Sequence, residues 1–415
     1  MARDVRALSV LQSSDHVVIV GAGFGGWRLV EALRREGYDG ALTLLGEERH
    51  APYDRPPLSK QVLSLKWDVE KATLATSERI TAANVDLRLG VRAVGLDIES
   101  RTVHLEDGSS VTGTHIVIAT GTRARRLPYS ADESILALRN RDDEVRLRDE
   151  LERIDPGSVV AIIGGGFIGA EVATQLQGRG FAPLVLEVAT RPLIGVVGAK
   201  VSAWLERLAG DAGVELRSSQ HIADVLRDGE GFSVVLEDGT ALSAAMVILG
   251  VGAVVNVEWL EESGLVIDNG VVVDENLLAT ERIAAIGDVA RFGWPNVMGD
   301  DLVRIEHWEV ANMHAHHLAH FWTTGESAGE YLVPYFWSDQ YGKKIQMLGH
   351  PQPDDDVVRV HGSPEEGKWI ALFSRGGVVT GILTLAQPRA LMLSKHFLDR
   401  PTTLVHALEE APWAN

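Results

Sequence analysis

The sequence predicts an α/β protein that is built on two βαβ units and ends in a C-terminal α+β domain. Residues 17–33 (VVIVGAGFGGWRLVEAL) and 159–176 (VVAIIGGGFIGAEVATQL) repeat one pattern of apolar strand, glycine-rich turn and helix. Continuous apolar strands that lead into helices are typical of parallel sheets buried on both faces. In the tail from about residue 331, strand-like segments alternate with loops before two helical segments.

The elements follow one another in a regular order. HVVIVGAG, a helical segment and ALTLLGEE form the first βαβ unit, and SVVAIIGGG, a helical segment and APLVLEVA form the second. HIVIATGTRAR and RIAAIGDVARF each pair a short strand with a glycine turn. The tail ends in LMLSKHFL and TTLVHALEE, which we predict to be helical.

The composition limits the chemistry. A chain of 415 residues with 45% hydrophobic residues has material for two or three domains. Its net charge of -19 argues against binding to nucleic acid or to an anionic membrane, because both attract clustered positive charge. The absence of cysteine excludes disulfide scaffolds, thiolate-ligated clusters and thiol nucleophiles, so redox chemistry requires a bound cofactor.

The distribution of charged and apolar residues adds two expectations. The first 16 residues lack the apolar core of a signal peptide, and the longest apolar run, MVILGVGAVV, is too short to span a bilayer. We therefore expect a soluble, cytoplasmic protein. From Pro334 onward there are eight basic and nine acidic residues, so nearly all of the negative charge belongs to the rest of the chain.

Each glycine-rich turn matches a G-x-G-x-x-G motif that is followed about 20 residues later by an acid at the end of the next strand. The glycines allow a tight turn, backbone approach to a pyrophosphate and close helix packing, while the acid suits ribose hydroxyls. Two Rossmann-like dinucleotide-binding domains are therefore predicted. The residues concerned are Gly21, Gly23, Gly26 and Glu47 in the first unit, and Gly164, Gly166, Gly169 and Glu187 in the second.

The acid of the second unit bears on cofactor choice. A carboxylate at Glu187 repels the extra phosphate of NADPH, so NADH is favoured. Arg191, four residues later, could soften that preference, bind the pyrophosphate or lie on the surface.

A series of motifs in order, GAGFGG, PYDRPPLSK, IVIATGTRARRLP, GGGFIGAEVA, AIGDVA, RIEHW and PYFWSDQYGKKIQ, resembles the NADH-dependent, FAD-containing ferredoxin reductases of oxygenase systems. Apoptosis-inducing factor is a more distant cousin. The resemblance covers nearly the whole chain. It implies a glutathione-reductase-like fold with an FAD-binding domain in two parts (1–126 and 253–330), an NADH-binding domain (127–252) and a C-terminal α+β interface domain (331–415).

The resemblance also implies the binding residues. Guanidinium groups would hold the FAD phosphates, Asp288 would bind the ribityl chain or lie near the phosphates, and Trp308 and Trp337 would flank the flavin. Phe167 would cover the nicotinamide, and Glu306 would bind its carboxamide. The full FAD-side set is Gly21, Gly23, Gly26, Glu47, Arg55, Lys60, Arg125, Asp288, Glu306, Trp308 and Trp337. The NADH-side set is Gly164, Gly166, Phe167, Gly169, Glu187, Arg191 and Gly252.

By the same resemblance, Lys60 and Glu171 form the catalytic pair, with the lysine near the hydride-accepting nitrogen of the flavin. A paired ammonium there would favour the anionic reduced flavin. An ordinary surface salt bridge is the alternative for the pair. Packing or domain-interface roles are the alternatives for Phe167 and Trp337, and a solvated cationic face is the alternative for Arg123 and Arg126.

One helical segment departs from the family. HWEVANMHAHHLAHFW places His316 and His320 at a spacing that suits a metal, but no carboxylate completes a ligand set, so we predict no metal site. Relatives usually carry small or amide residues where His314 and His316 fall, which leaves the local packing open.

These observations predict an enzyme that transfers a hydride from NADH to FAD and then single electrons to a separate two-iron ferredoxin. We expect a monomer or weak dimer. The ferredoxin would dock near Lys343 and Lys344, for which solvated lysines at a strand edge are the alternative. The alternative function is an NADH-responsive redox-sensing protein of the apoptosis-inducing-factor type.

Overall fold

The computed structural model describes residues 10–293, 301–329 and 333–414. The described α-helices are α1 (Phe24–Arg35), α2 (Ser77–Ala83), α3 (Arg141–Leu151), α4 (Phe167–Gly178), α5 (Ile194–Asp211), α6 (Trp308–Thr324), α7 (Pro388–Ser394) and α8 (Leu404–Glu410). None of the helices within these ranges is long and apolar enough to cross a membrane.

The described strands run through the whole chain. The first half contains β1 (His16–Val20), β2 (Ala41–Gly46), β3 (Asp86–Leu89), β4 (Ala93–Asp97), β5 (Thr102–Leu105), β6 (Ser110–Thr112), β7 (His115–Ile118), β8 (Thr122–Ala124), β9 (Leu136–Ala137), β10 (Val159–Ile163) and β11 (Ala182–Leu186). The second half contains β12 (Glu215–Arg217), β13 (Ile222–Asp228), β14 (Gly231–Leu236), β15 (Ala241–Ala244), β16 (Met246–Leu249), β17 (Ala253–Val255), β18 (Val271–Val272), β19 (Leu278–Thr280), β20 (Ile283–Ala285), β21 (Ala290–Gly293), β22 (Leu302–Val303), β23 (Tyr335–Gln340), β24 (Lys343–Gly349), β25 (Asp356–Ser363), β26 (Lys368–Arg375) and β27 (Val378–Leu385).

The chain divides into two compact units. The first unit comprises the described residues of Met1–Asp54, Ala72–Arg123 and Val255–Pro334, and the second those of Arg55–Lys71, Ala124–Val254 and Tyr335–Asn415. The domain boundaries expected from the sequence stay predictions, and the one at residues 330 and 331 lies outside the described residues.

The first unit is built on a six-stranded sheet in the order β19-β20-β7-β1-β2-β3. All neighbouring pairs are parallel except β19 with β20. β1 pairs on both sides, with Val17 opposite Leu42 and His115, and its valines and isoleucine are buried. A strand with two covered faces needs apolar side chains on both, which explains the unbroken apolar run in the sequence.

The second unit contains a five-stranded parallel sheet in the order β12-β11-β10-β16-β9. β10 is central and pairs with β11 and β16, as β1 pairs with β2 and β7 in the first unit. A separate antiparallel sheet, β23-β24-β27-β26-β25, forms the C-terminal part with α7 and α8. Its core includes Trp369 and Phe373 of β26, packed with Val201 and Leu205 of α5.

Candidate active site

The two glycine turns are built in the same way. A Cβ atom on Gly26 would lie 2.1 Å from the carbonyl oxygen of Gly21, and one on Gly169 would lie 2.1 Å from that of Gly164. Gly21 and Gly164 have φ angles of 121° and 105°, which other residues rarely adopt. The first and last glycines of each motif are therefore required by the backbone of the turn itself.

The middle glycine of each motif is not required by protein packing. A Cβ on Gly23 would meet no atom of the described residues within 4 Å, and one on Gly166 would meet only the Gly250 oxygen at 3.8 Å. Both residues have ordinary extended dihedral angles and directly precede α1 and α4. An open backbone at a helix N-terminus fits a dinucleotide pyrophosphate, because its N–H groups and dipole favour anions.

The two acids behind these turns differ in their surroundings. Glu187 accepts hydrogen bonds from the Gly165 N–H (2.7 Å) and the Ala189 N–H (2.8 Å), so its carboxylate is tied to the glycine turn. Each of its oxygens can accept a further bond, which leaves capacity for ribose hydroxyls. The Glu47 side chain is 68% exposed and forms a 3.6 Å ion pair with Arg92. The sequence repeat therefore does not produce the same local contacts in the two units.

The segment PYDRPPLSK, residues 52–60, leads into a short π-helix, Leu58–Val62, with Pro57 as its N-cap. Proline suits this place because its fixed φ matches a helix start and its missing N–H would have no partner there. Arg55, ahead of the π-helix, donates to the Arg139 carbonyl oxygen at 2.8 Å. The π-helix turns Ser59 and Lys60 into the interior, where they are 3% and 8% exposed.

The structure brings Lys60 and Glu171 together. The Lys60 Nζ lies 2.6 Å from Glu171 Oε2, and the two side chains are 9% and 2% exposed, so this is not a surface salt bridge. Ser59 Oγ donates to the same oxygen at 2.5 Å, and Ser338 Oγ donates to the other one, Oε1. A buried ion pair is tolerated when further hydrogen bonds satisfy its lone pairs, as they do here.

The second glycine turn and the C-terminal sheet meet along one face of α4. Phe167, Glu171 and Thr174, at helical spacing, contact Phe336, Ser338 and the backbone of Tyr341. The Phe167 and Phe336 ring centroids are 4.4 Å apart. Trp337 points to the other side of its strand, where its ring stacks on Tyr335 with centroids 5.7 Å apart.

Three predicted flavin-side residues of the first unit, Asp288, Glu306 and Trp308, have hydrogen-bond partners within that unit. Thr122 Oγ1 donates to the Asp288 carboxylate at 3.3 Å, and the Arg304 guanidinium donates to the Asp288 carbonyl oxygen at 3.2 Å. Arg304 also donates to Glu306 at 2.6 Å. The Trp308 indole donates to Asp54 Oδ1 at 2.8 Å, which fixes the orientation of its ring.

The remaining predicted residues have local partners. Arg125 donates its backbone N–H to the Gly252 carbonyl oxygen at 3.0 Å and its guanidinium to the Ala253 oxygen at 3.3 Å. Arg191 forms an ion pair with Glu206 at 3.2 Å, so its charge is engaged within the second unit. Roles for these residues in cofactor binding stay predictions.

The histidines of α6 have protein partners. His316 lies 3.2 Å from Arg35 Nη1, and His320 lies 3.6 Å from Glu36. The buried His314 accepts the Gly287 N–H on Nδ1 at 3.1 Å, and burial lowers its pKa to about 3. Within the described ranges, no group of three or more metal-ligating side chains was found.

Sequence reasoning missed several residues of these clusters. Ser59 and Ser338 stand inside the motifs PYDRPPLSK and PYFWSDQYGKKIQ, but the sequence gives no signal for their role, because it depends on contacts with Glu171, far away in the sequence. Phe24 was missed although it occupies the same place in the first turn as Phe167 in the second; its ring lies 4.4 Å from that of Trp308. The repeat G-F-x-G was the available signal.

The chain matches two protein families. Residues 15–315 match the pyridine nucleotide-disulphide oxidoreductases, and residues 335–409 match the reductase C-terminal family. These matches confirm the predicted fold class. Because the chain has no cysteine, thiol chemistry of the kind that the first family's description implies is excluded here.

Individual relatives are similar over nearly their full length. The ferredoxin–NAD(+) reductase subunit of a benzene 1,2-dioxygenase system from Pseudomonas putida is 32% identical, over 93% of each chain. Rhodocoxin reductase from Rhodococcus erythropolis is 33% identical, over 92% of this chain and 89% of that protein.

A solved structure gives the same result. The crystal structure of a covalent putidaredoxin reductase–putidaredoxin complex contains a chain that aligns with a TM-score of 0.90 at 30% identity, covering 97% of this chain and 100% of that one. The chain therefore belongs to the pyridine nucleotide-disulphide oxidoreductase family and, within it, to the FAD-containing, NADH-using ferredoxin reductases of oxygenase systems.

Proposed function

We propose that this chain transfers a hydride from NADH to FAD and passes electrons singly to a separate two-iron ferredoxin, which serves an oxygenase or a haem monooxygenase. The observation that carries the proposal is that a chain without cysteine folds two dinucleotide-type glycine turns, one in each unit. When bound, FAD supplies the conversion between two-electron and one-electron chemistry. The iron-sulfur cluster belongs to the partner, since this chain has no thiolates to bind one.

Each glycine turn is the proposed binding site of one dinucleotide. The turn before α1 holds FAD and the turn before α4 holds NADH, with the helix N-termini directed at the pyrophosphates. Arg55 and Arg125 bind FAD phosphates, Asp288 accepts sugar hydroxyls, and Glu187 binds the NADH ribose and disfavours a phosphate there. The bonds from Gly165 and Ala189 support this role of Glu187, because they hold its carboxylate beside the turn.

The aromatic and acidic residues complete the proposed sites. By the resemblance, Trp308 and Trp337 are the proposed aromatic contacts of the flavin, Phe167 is that of the nicotinamide, and Glu306 would bind the nicotinamide carboxamide. The indole bond from Trp308 to Asp54 supports a fixed ring, and fixed groups lose less entropy when they bind a ligand.

Lys60 is proposed as the catalytic cation. Its ammonium would stabilise negative charge on a bound hydride acceptor, and the ion pair with Glu171 holds the ammonium in place. The support is the burial of the pair, because an electrostatic contact away from water is stronger than one at the surface.

The net charge of the chain limits which partners it can bind. A chain of -19 opposes nucleic acid and anionic membranes, and it accepts an acidic ferredoxin only through a local patch of relieved repulsion. We propose that the enzyme works in the cytoplasm as a monomer or weak dimer.

The experiment is stopped-flow reduction of the purified flavoprotein by NADH, followed by reduction of cytochrome c through an added two-iron ferredoxin. The Lys60→Met variant should retain its flavin, but the rate at which NADH reduces that flavin should fall on the order of 10²-fold. This is the usual effect of removing one charge-stabilising donor. Lys66→Met, on the exposed chain beyond the π-helix, is the matched control and should reduce at the wild-type rate.

Two results would contradict the proposal. Rapid oxidation of NADH without any electron transfer to the ferredoxin would show that a ferredoxin is not the electron acceptor. A wild-type rate in Lys60→Met would remove the catalytic role of Lys60 and leave the rest standing.

A further inference from the structure

The two carboxylate oxygens of Glu171 accept hydrogen bonds from different elements of the structure. Oε2 receives the Lys60 ammonium at 2.6 Å and the Ser59 hydroxyl at 2.5 Å, both from the π-helix. Oε1 receives the hydroxyl of Ser338, which belongs to β23. Each oxygen therefore accepts hydrogen bonds from a different element of the second unit.

Ser338 is itself held in place. The side chain is fully buried, and the Gln340 amide donates to its Oγ at 3.1 Å. A serine hydroxyl has one proton to donate, so accepting from Gln340 leaves that proton for Glu171. Gln340, at 3% exposure, is two residues along the strand and lies on the same face. The chain Gln340 to Ser338 to Glu171 therefore has one direction of donation.

We propose that Ser338 is a positioning residue for the Lys60 ammonium, acting through Glu171. The bond from its hydroxyl to Oε1 fixes the rotation of the carboxylate and so keeps Oε2 directed at Lys60. Without it, a buried acceptor has no donor, and the carboxylate is driven to rotate and share Oε1 with Lys60. The ammonium then moves away from its place. The proposal deepens the proposed function and rests on the role that it gives to Lys60.

The proposal also gives the C-terminal sheet a task in the first half of the reaction. Ser338 and Trp337 are neighbours on β23, and their side chains leave opposite faces of the strand. The strand that presents Trp337 on one face thus fixes the Lys60–Glu171 pair from the other. The sheet contributes to hydride transfer from NADH and not only to ferredoxin binding.

The experiment uses the holoenzyme with Ser338→Ala, Ser338→Thr and the matched control Ser374→Ala, a serine of the same sheet that is 2% exposed. Ser338→Ala should lower the limiting rate of reduction by NADH about 10-fold, as expected for one buried hydrogen bond, with the dissociation constant for NADH nearly unchanged. Threonine restores the hydroxyl and should restore the rate, while Ser374→Ala should behave as wild type.

A second readout does not depend on turnover. In protein labelled with ¹⁵N-lysine, an ammonium held in a buried ion pair exchanges slowly and gives a resolved signal, which Lys60→Met assigns. The signal should persist in Ser338→Thr and disappear or shift in Ser338→Ala. An unchanged signal and rate in Ser338→Ala would overturn the proposal, whatever Lys60→Met shows. If the signal changes but neither Lys60→Met nor Ser338→Ala slows reduction, Ser338 positions Lys60 and the catalytic role of Lys60 fails.

Discussion

His314 is a histidine that the fold keeps neutral. It is fully buried, accepts the Gly287 N–H and lies edge-on to Phe292, with ring centroids 4.3 Å apart. Burial, with a smaller contribution from His317, lowers its pKa to about 3. In the unfolded chain the His314 imidazole takes up a proton near pH 6.5, but in the native protein it stays neutral down to a much lower pH. The free energy of unfolding is therefore unaffected by His314 above pH 6.5 and decreases as the pH falls below that value.

The expected loss is measurable by urea unfolding at a fixed excess of FAD. Between pH 7.5 and pH 5, His314 should account for about 2 kcal/mol of the fall in unfolding free energy. His314→Asn places an amide oxygen where Nδ1 was and keeps the bond to Gly287, so the fall in unfolding free energy should shrink by that amount.

His115, whose pKa burial lowers to about 4, causes a separate loss of unfolding free energy, which remains in the His314→Asn variant. The control is His104→Asn, at an exposed position of β5, which should leave the fall unchanged. An equal fall in His314→Asn and wild type would show that His314 is protonated in the native protein.

The strand–turn–helix elements allow a test of which glycine serves the fold and which serves the ligand. Gly169→Ala should destabilise the protein by about 2 kcal/mol or more, because its Cβ meets the Gly164 oxygen at 2.1 Å and only backbone can move. Gly166→Ala has space and ordinary dihedral angles, so it should fold normally but bind NADH about 10-fold more weakly. Thermal unfolding and NADH titration separate the two effects.

The first turn supplies the matched variant. Gly23→Ala should leave NADH binding intact and lower the flavin content, since its Cβ would also meet no atom of the described residues within 4 Å. If Gly23→Ala weakened NADH binding and Gly166→Ala lowered flavin content, the two cofactors would have been assigned to the wrong turns.

These elements also show what a sequence can predict. The βαβ units were predictable because their strand, turn and helix are written consecutively, and the parallel pairing of β1 with β2 follows from the crossover. Lys60 and Glu171 were proposed as a pair only through resemblance. The hydroxyls that complete their site come from Ser59 and Ser338, and the second of these depends on the register of β23 beside α4. Such a register is decided by packing and leaves no local signal.

The molecule as a whole carries its negative charge unevenly, and this predicts where an acidic partner binds. The near-neutral part begins at Pro334 and includes the β23–β24 hairpin with Lys343 and Lys344. Lys344 is paired with Asp339 at 3.1 Å, which offsets part of the patch. Lys343→Glu with Lys344→Glu should raise KM for ferredoxin severalfold and reverse part of its salt dependence, while reduction of ferricyanide stays near normal.

A control variant separates a docking patch from net charge. Arg359→Glu with Arg400→Glu changes the total charge by the same amount at exposed positions of the C-terminal part outside the β23–β24 hairpin and should leave KM for ferredoxin nearly unchanged. If both double variants act alike, long-range repulsion is the cause. If neither acts, the next candidates are Arg123, Arg125 and Arg126, although Arg123 is already paired with Glu258 at 2.6 Å.

The turn of the β23–β24 hairpin restricts the length of the chain at this point. Tyr341 and Gly342 have φ angles of 52° and 73°, as in a two-residue turn of type I′, and they set Gln340 opposite Lys343. One inserted residue that slipped β23 by a single position would exchange its faces, pointing Trp337 at Glu171 and Ser338 away from it. Insertions and deletions should therefore be tolerated in other surface loops long before they are tolerated here.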